Sequence, residues 1–167
     1  KRTRKVITAC PRCYLTLAHD PAYGDLEVSH TTTFLAEQRA ALARCVPEGE
    51  APAVTYHDPC EIGRCVGAYD APRQVIEAAG LTLEEMPGCR ALSNCCGAGG
   101  GVRGAYARTS VAIARQRYEE AAATGAQVLL TECPSCLHNL RNARRSRDTM
   151  DVANLSEYLA GWLVERK

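Results

Sequence analysis

Five cysteines are spread along the chain as Cys60, then Cys95-Cys96-Gly97, then Cys133-Pro134-Ser135-Cys136, with 34 residues across the first gap and 36 across the second. Each gap has room for a strand and a helix. A fold that uses these thiols together must therefore gather three distant segments by tertiary folding. Disulfide stapling is a poor explanation. Vicinal Cys95 and Cys96 can close a ring only with strain, and ten cysteines in 167 residues, about 6%, fall below the ~8–10% of small secreted disulfide scaffolds. A chain of this length also buries roughly 70% of its unfolded surface without help. The cysteines are read as metal ligands in a reducing, cytoplasmic setting.

The remaining composition narrows the partners. Net charge is +1, with 46% hydrophobic and 23% charged residues, so there is no electrostatic case for nucleic acid. No apolar run approaches the ~20 residues of a membrane span. No direct membrane span is expected, and membrane association would come through a partner.

Strands alternate with helices, which predicts an α/β fold with a mainly parallel sheet flanked by helices. Lys5–Ala9, Ala53–Tyr56 and Gln127–Thr131 read as buried strands, and Leu81–Met86 as a weaker one. Helical spacing predicts helices over Phe34–Arg44, Pro72–Ala79 (stopped by Gly80) and Gly104–Thr124 (closed by Gly125), another beginning at Pro134, and a terminal one. Leu155, Tyr158, Leu159, Trp162 and Leu163 form the apolar face of that last helix, with Asn154 as its N-cap.

An internal repeat changes the interpretation. Val6-Ile7-Thr8-Ala9-Cys10-Pro11-Arg12-Cys13 aligns with Leu129-Leu130-Thr131-Glu132-Cys133-Pro134-Ser135-Cys136, and after one inserted residue Phe34-Leu35-Ala36 aligns with Tyr158-Leu159-Ala160. The first copy has only the tail of the pattern: a strand, a CxxC and the helices after it. Residues 1–44 are expected to be the C-terminal tail of an upstream repeat and residues 45–167 a complete unit, the whole forming the C-terminal portion of a longer chain.

A cysteine at a strand end beside a helix N-terminus meets backbone N–H groups and the positive end of the helix dipole, both of which favour the thiolate. Pro134 suits a first helical turn, and Pro59 fixes the approach to Cys60. The stretch Gly97-Ala98-Gly99-Gly100-Gly101 brings N–H groups that could donate to cluster sulfides. A phosphate loop is the competing reading, but no Gly-Lys-Ser/Thr ending follows. Five thiolates suit an iron–sulfur cluster or zinc. Cys45, Cys65 and Cys89 are expected to be semi-buried small hydrophobes, with Cys65 the reserve ligand. His57 is read as a hydrogen-bonded residue at a strand end, the alternative being a role in orienting a ligand or moving a proton. His30 is read as a cap or packing residue. Arg64 and Arg103 could offset cluster charge or hold an anionic substrate, and Arg141, Arg144, Arg145 and Arg147 are expected on a solvated helix face.

His57-Asp58-Pro59-Cys60, Cys-Cys-Gly-Ala-Gly-Gly-Gly from Cys95, and Cys133-x-x-Cys136 together resemble the cysteine-rich CCG domain family. That family includes the B/D-like catalytic subunits of heterodisulfide reductases and the iron–sulfur subunits of glycolate and lactate oxidation systems. The stretches Glu61–Arg64 and Tyr69–Arg73 resemble the D-like branch. The resemblance implies a CCG domain present twice per chain and a [4Fe-4S] cluster, non-cubane in some members, on Cys60, Cys95, Cys96, Cys133 and Cys136. Cys10 and Cys13 would be the remnant of a second site. In some members zinc takes the place of a cluster, which leaves a zinc-binding structural domain as the alternative. The implied function is an iron–sulfur oxidoreductase subunit acting in electron transfer or disulfide reduction within a larger complex. Implied partners are a flavoprotein or other electron-transfer subunits and a quinone-linked membrane partner. The implied location is cytoplasmic, or peripheral at the inner membrane.

Overall fold

The apolar run that feeds Cys133 lies inside a parallel sheet with helices on both faces. A computed structural model describes residues 4–164. In chain order the elements are β1 (Lys5–Thr8), α1 (Pro11–His19), β2 (Glu27–His30), α2 (Thr31–Glu37), α3 (Arg39–Ala43), β3 (Ala53–Tyr56), α4 (Cys60–Gly63) and α5 (Asp70–Ala78). They continue as β4 (Thr82–Leu83), α6 (Val102–Ala105), α7 (Ala107–Ala122), β5 (Val128–Thr131), α8 (Pro134–Asn142), β6 (Asp151–Asn154) and α9 (Leu155–Val164). The larger sheet has the order β4-β3-β5-β6 and β1 pairs with β2, all in parallel.

Strand alternation divides the core between the two faces. Val54, Tyr56, Val128 and Leu130 pack with Val75 and Ile76 of α5, Leu155 and Leu159 of α9, and Ala36 of α2. Leu129 and Val152 face the other way, onto Ala114, Tyr118 and Ala121 of α7 and Leu140 of α8. Cys96, Cys133 and Cys136 sit at the edge of this second cluster. Cys60 and Cys133 follow the ends of β3 and β5, the usual position for ligands in open parallel sheets.

The segment β1–α1–β2–α2 has the element order of β5–α8–β6–α9. Thr8 pairs with His30 as Thr131 pairs with Asn154. His30 and Asn154 both cap the helix that follows: the His30 ring accepts from the Thr32 N–H at 3.4 Å, and Asn154 Oδ1 accepts from the Glu157 N–H at 3.1 Å.

Several elements depart from the sequence-based expectations. The helix predicted over Gly104–Thr124 begins at Ala107, because Tyr106 (φ −136°, ψ 59°) leaves helical geometry and separates it from α6. The helix predicted over Phe34–Arg44 starts at Thr31 and breaks at Gln38. The strand expected over Leu81–Met86 shrinks to Thr82–Leu83. Glu27–His30 and Asp151–Asn154 are strands that the sequence pattern does not predict: each is four residues, three of them polar in the first and two in the second, and becomes a strand by docking at the parallel edge of its neighbour. The arginine run is not one helix face, since α8 ends at Asn142. Arg141 Nε reaches the Val152 carbonyl, and Arg144 pairs with Asp151.

Candidate metal centre

Two of the ligand segments are strand-to-helix turns. β3 runs into His57-Asp58-Pro59, Pro59 holds extended geometry (φ −65°, ψ 131°), and Cys60 is the first residue of α4. β5 runs into Cys133, the N-cap of α8 (φ −151°, ψ 119°), with Pro134 in the first turn and Cys136 one turn along. Proline at that position loses no helical hydrogen bond and leaves the following N–H groups facing the thiols.

The Cys95-Cys96-Gly97 segment has no regular structure and is held by side chains from both neighbouring helices. Asn139 Nδ2 of α8 donates to the Cys96 carbonyl at 2.6 Å, and Ser110 Oγ of α7 donates to the Gly97 carbonyl at 2.8 Å. Both residues are fully buried. Gly97 has φ +77°, and a Cβ there would lie 2.7 Å from the Ser110 carbonyl oxygen and 2.9 Å from Ile113 Cβ. The glycine of the motif is required by left-handed geometry and by close approach to α7 at once.

Thiols of all three segments interact: Cys60 with Cys96 and Cys133, Cys95 with Cys96 and Cys60, and Cys136 with Cys133 and Cys96. Cys96, Cys133 and Cys136 are buried, Cys60 is half-buried and Cys95 is exposed. Cys96 Sγ lies 3.1 Å from Cys136 Sγ. Their titration is strongly interdependent, as expected for thiols competing for negative charge. Cys96 is pulled far below the usual thiol range by hydrogen bonds from Cys136 and Cys95, with His57 adding to the effect. Cys133 is lowered by Cys136 and by the N–H groups of Cys136 and Ser135. As the donors, Cys136 and Cys95 are pushed up, Cys136 by its bonds to Cys133 and Cys96. Cys60 is raised by burial and then by the charge of Cys96. A ring nitrogen of His57 lies within 4.8 Å of the Cys96 and Cys136 sulfurs. This soft donor set fits zinc or an iron–sulfur cluster and excludes hard cations such as magnesium.

Two buried arginines, whose roles no sequence pattern reveals, hold the ligand segments in place. Arg73 makes a two-pronged pair with Asp58, at 2.5 and 2.9 Å, and a second with Glu85, while donating to the Tyr69 carbonyl. Asp58 also accepts the Arg90 N–H at 2.7 Å, which ties the turn before Cys60 to the approach to Cys95. Arg117 is 1% exposed. It donates to His57 Nδ1 at 3.2 Å and Ser93 Oγ at 3.1 Å, and pairs with Glu120 at 2.7 Å. Glu120 in turn accepts from Asn94 Nδ2 at 2.8 Å. Position on the helix was the one signal that could have found them. Arg117 falls on the stripe of Ser110, Ala114, Tyr118 and Ala121 that α7 buries, and Arg73 lies beside Pro72, Val75 and Ile76 on the buried side of α5.

The other candidates are scattered. Cys10 is half-buried and Cys13 exposed, and neighbouring Arg12 forms an ion pair with Glu61, next to Cys60. Cys45 and Cys65 are exposed rather than semi-buried, since both lie in loops outside the two core clusters, and Cys89 is half-buried. Arg64 donates to the Ser93 carbonyl at 3.0 Å, so it helps shape the loop, while Arg103 is exposed. His19 and His138 are exposed.

Comparison with known proteins agrees with this geometry. The family model for the cysteine-rich CCG domain matches residues 54–141. The D-type subunit of the dihydromethanophenazine:CoB–CoM heterodisulfide reductase of Methanosarcina mazei is 36% identical over 167 residues, covering 96% of this chain and 41% of that protein. The probable iron-sulfur-binding oxidoreductase FadF of Bacillus subtilis is 34% identical over 153 residues, covering 89% of this chain and 21% of its own length. The EtfAB:quinone oxidoreductase of Syntrophomonas wolfei is 32% identical over 169 residues, covering 91% and 23% respectively. The chain thus spans well under half the length of these relatives.

Proposed function

This chain belongs to the cysteine-rich CCG domain family, and from that membership we propose that it serves as an iron–sulfur subunit of an electron-transferring oxidoreductase, with Cys60, Cys95, Cys96, Cys133 and Cys136 as the cluster ligands. The observation that supports this reading is the contact of thiols from separated segments, Cys96 Sγ 3.1 Å from Cys136 Sγ, with Cys60 close enough to feel the charge of Cys96 and Cys133. The similarity to a heterodisulfide reductase subunit, to a probable iron-sulfur-binding oxidoreductase and to a quinone oxidoreductase points the same way.

When bound, the cluster supplies one-electron chemistry at a potential set by its ligands, hydrogen bonds and exposure. A [4Fe-4S] cluster of non-cubane type accounts for a fifth thiol, since tetrahedral zinc and an ordinary cubane each use four. The protein's own contribution is positional. Gly97, Ser110 and Asn139 hold the Cys95-Cys96 turn, Arg73 with Asp58 holds the turn before Cys60, and the helix start at Pro134 presents Cys133 and Cys136. Burial keeps water from Cys96, Cys133 and Cys136, while Cys60 and Cys95 form the outward edge that a substrate or partner would approach.

Residues 1–44 are read as the tail of an upstream CCG repeat, supported by the matched strand pairing and helix caps of the two halves. Cys10 and Cys13 would contribute to that repeat's site. The proposed partners are a flavoprotein or other electron-transfer subunits, together with a quinone-linked membrane partner. No helix among the described residues is long and apolar enough to cross a membrane. The proposed location is cytoplasmic, or peripheral at the inner membrane through partners.

Iron, zinc and acid-labile sulfide, measured per chain on anaerobically prepared protein beside its EPR spectrum, test the reading. About four iron and four sulfide are expected for this cluster type. Cys96→Ser and Cys136→Ser should lose the signal while far-UV circular dichroism is retained. About one zinc without sulfide, in protein made where clusters are assembled, would overturn the reading in favour of a structural zinc domain.

A further inference from the structure

His57 is 1% exposed, stands at the end of β3 and is close enough to Cys96 and Cys136 to be mistaken for a metal ligand. Its hydrogen bond with Arg117 opposes that role. Arg117 Nε lies 3.2 Å from His57 Nδ1. A guanidinium has only donors, so Nδ1 must accept and carry no proton. The single proton of the neutral ring therefore resides on Nε2. That atom is buried and has no hydrogen-bond partner among the described residues. The acceptors near this ring are the Cys96 and Cys136 sulfurs, within 4.8 Å of one of its nitrogens.

We propose that Arg117 locks His57 in the Nε2–H tautomer so that the ring donates to the Cys96 thiolate, making His57 a hydrogen-bond donor to the metal centre and Arg117 its positioning residue. The inference rests on the cluster reading for its redox consequence and on protein geometry alone for the tautomer. Glu120, paired with Arg117 at 2.7 Å, balances the buried charge and keeps the guanidinium from acting as a bare cation behind the site. Ser93 Oγ and the Glu120–Asn94 bond attach the same guanidinium to the residues just before Cys95. One arginine thereby positions a donor to Cys96 and the backbone leading to it. An N–H donated to a ligand sulfur stabilises the more negative, reduced state, so the device raises the potential of the centre.

The test has two readouts. In the metal-free, reduced chain labelled with ¹⁵N-histidine, long-range ¹H–¹⁵N correlation should show His57 as the Nε2–H form with Nδ1 unprotonated. Arg117→Met should release it into a mixture of tautomers. In protein carrying its cluster, His57→Phe should shift the midpoint potential downwards at unchanged iron and sulfide content, and Arg117→Met should shift it in the same direction. A wild-type Nδ1–H form, or an unmoved potential in variants with full cluster content, would overturn the proposal. If the chain binds only zinc, the cluster reading fails while the tautomer measurement still decides the role of Arg117. That measurement also stands if His57→Phe does not fold.

Discussion

Gly97 shows how one residue can be demanded twice. Its φ of +77° costs an L-residue about 1–2 kcal/mol, and a Cβ 2.7 Å from the Ser110 carbonyl oxygen adds an overpacking cost of about 1–3 kcal/mol. Gly97→Ala should therefore destabilise the metal-free protein by about 2 kcal/mol or more in urea unfolding and lower its metal content. An unchanged midpoint would mean that the turn relaxes freely. Arg73 makes a different prediction. Its loss leaves Asp58, 4% exposed, as an uncompensated buried charge, at a cost of about 3–5 kcal/mol. Arg73→Met should show that loss in urea unfolding, and Arg73→Met with Asp58→Asn should recover much of it. Additive single-variant losses would show that the pair is not coupled. The CCG signature was visible in the chain. Its two arginine braces were not, because a charged residue on an amphipathic helix is ordinarily solvated and only its partners reveal otherwise.

At the scale of elements, the β2–α2 and β6–α9 junctions solve one capping problem with different residues. His30 accepts from Thr32, and burial holds its ring down at about 4 from an ordinary 6.5. A histidine that stays neutral in the fold binds fewer protons than the unfolded chain between those values. Its contribution to stability is complete above pH 6.5 and is lost as pH falls towards 4, up to about 3 kcal/mol. His30→Asn keeps a capping acceptor, as Asn154 does, and removes the titration. The difference in urea stability between wild type and variant should change across that window and be flat above it. A pH-independent difference would show that His30 is not kept neutral. The buried strands β3 and β5 were legible because they are largely apolar on both faces. β2 and β6, of the same four-residue length, were not, because two or three of their four residues are polar and such a segment becomes a strand only beside a partner.

At the scale of the molecule, the thiols lie at the edge of a core that is otherwise complete. Leu129, Leu140, Tyr118 and Val152 are buried among the apolar side chains of the sheet, α7 and α8. Removing the metal should lower the thermal midpoint through linkage, by about 2.7 kcal/mol of stability for a ligand at a hundred times its dissociation constant, while far-UV circular dichroism keeps its α/β form. Unfolding on metal removal would show that the centre is part of the core. The parallel α/β class was legible from the alternation of periods, and the repeat from matching Thr-x-Cys-Pro-x-Cys stretches. How the first segment docks was not, because its contacts join residues far apart in the chain: Arg12 pairs with Glu61, and Ala36 of α2 joins the core of β3, α5 and α9.

By itself the sequence determined the ligand set on offer, the strand-then-helix setting of Cys60 and Cys133, and the glycine that follows Cys96, since all three are local properties of spacing and backbone permission. The tertiary structure decided which side chains support that set. The pairing of Arg117 with His57 across 60 residues and of Arg73 with Asp58 across 15 depends on where helices settle on the sheet, and no local pattern encodes it. It also set His57 beside Cys96 and Cys136. A histidine near thiols could bind metal or donate to a thiolate, and only the guanidinium on its other nitrogen distinguishes the two.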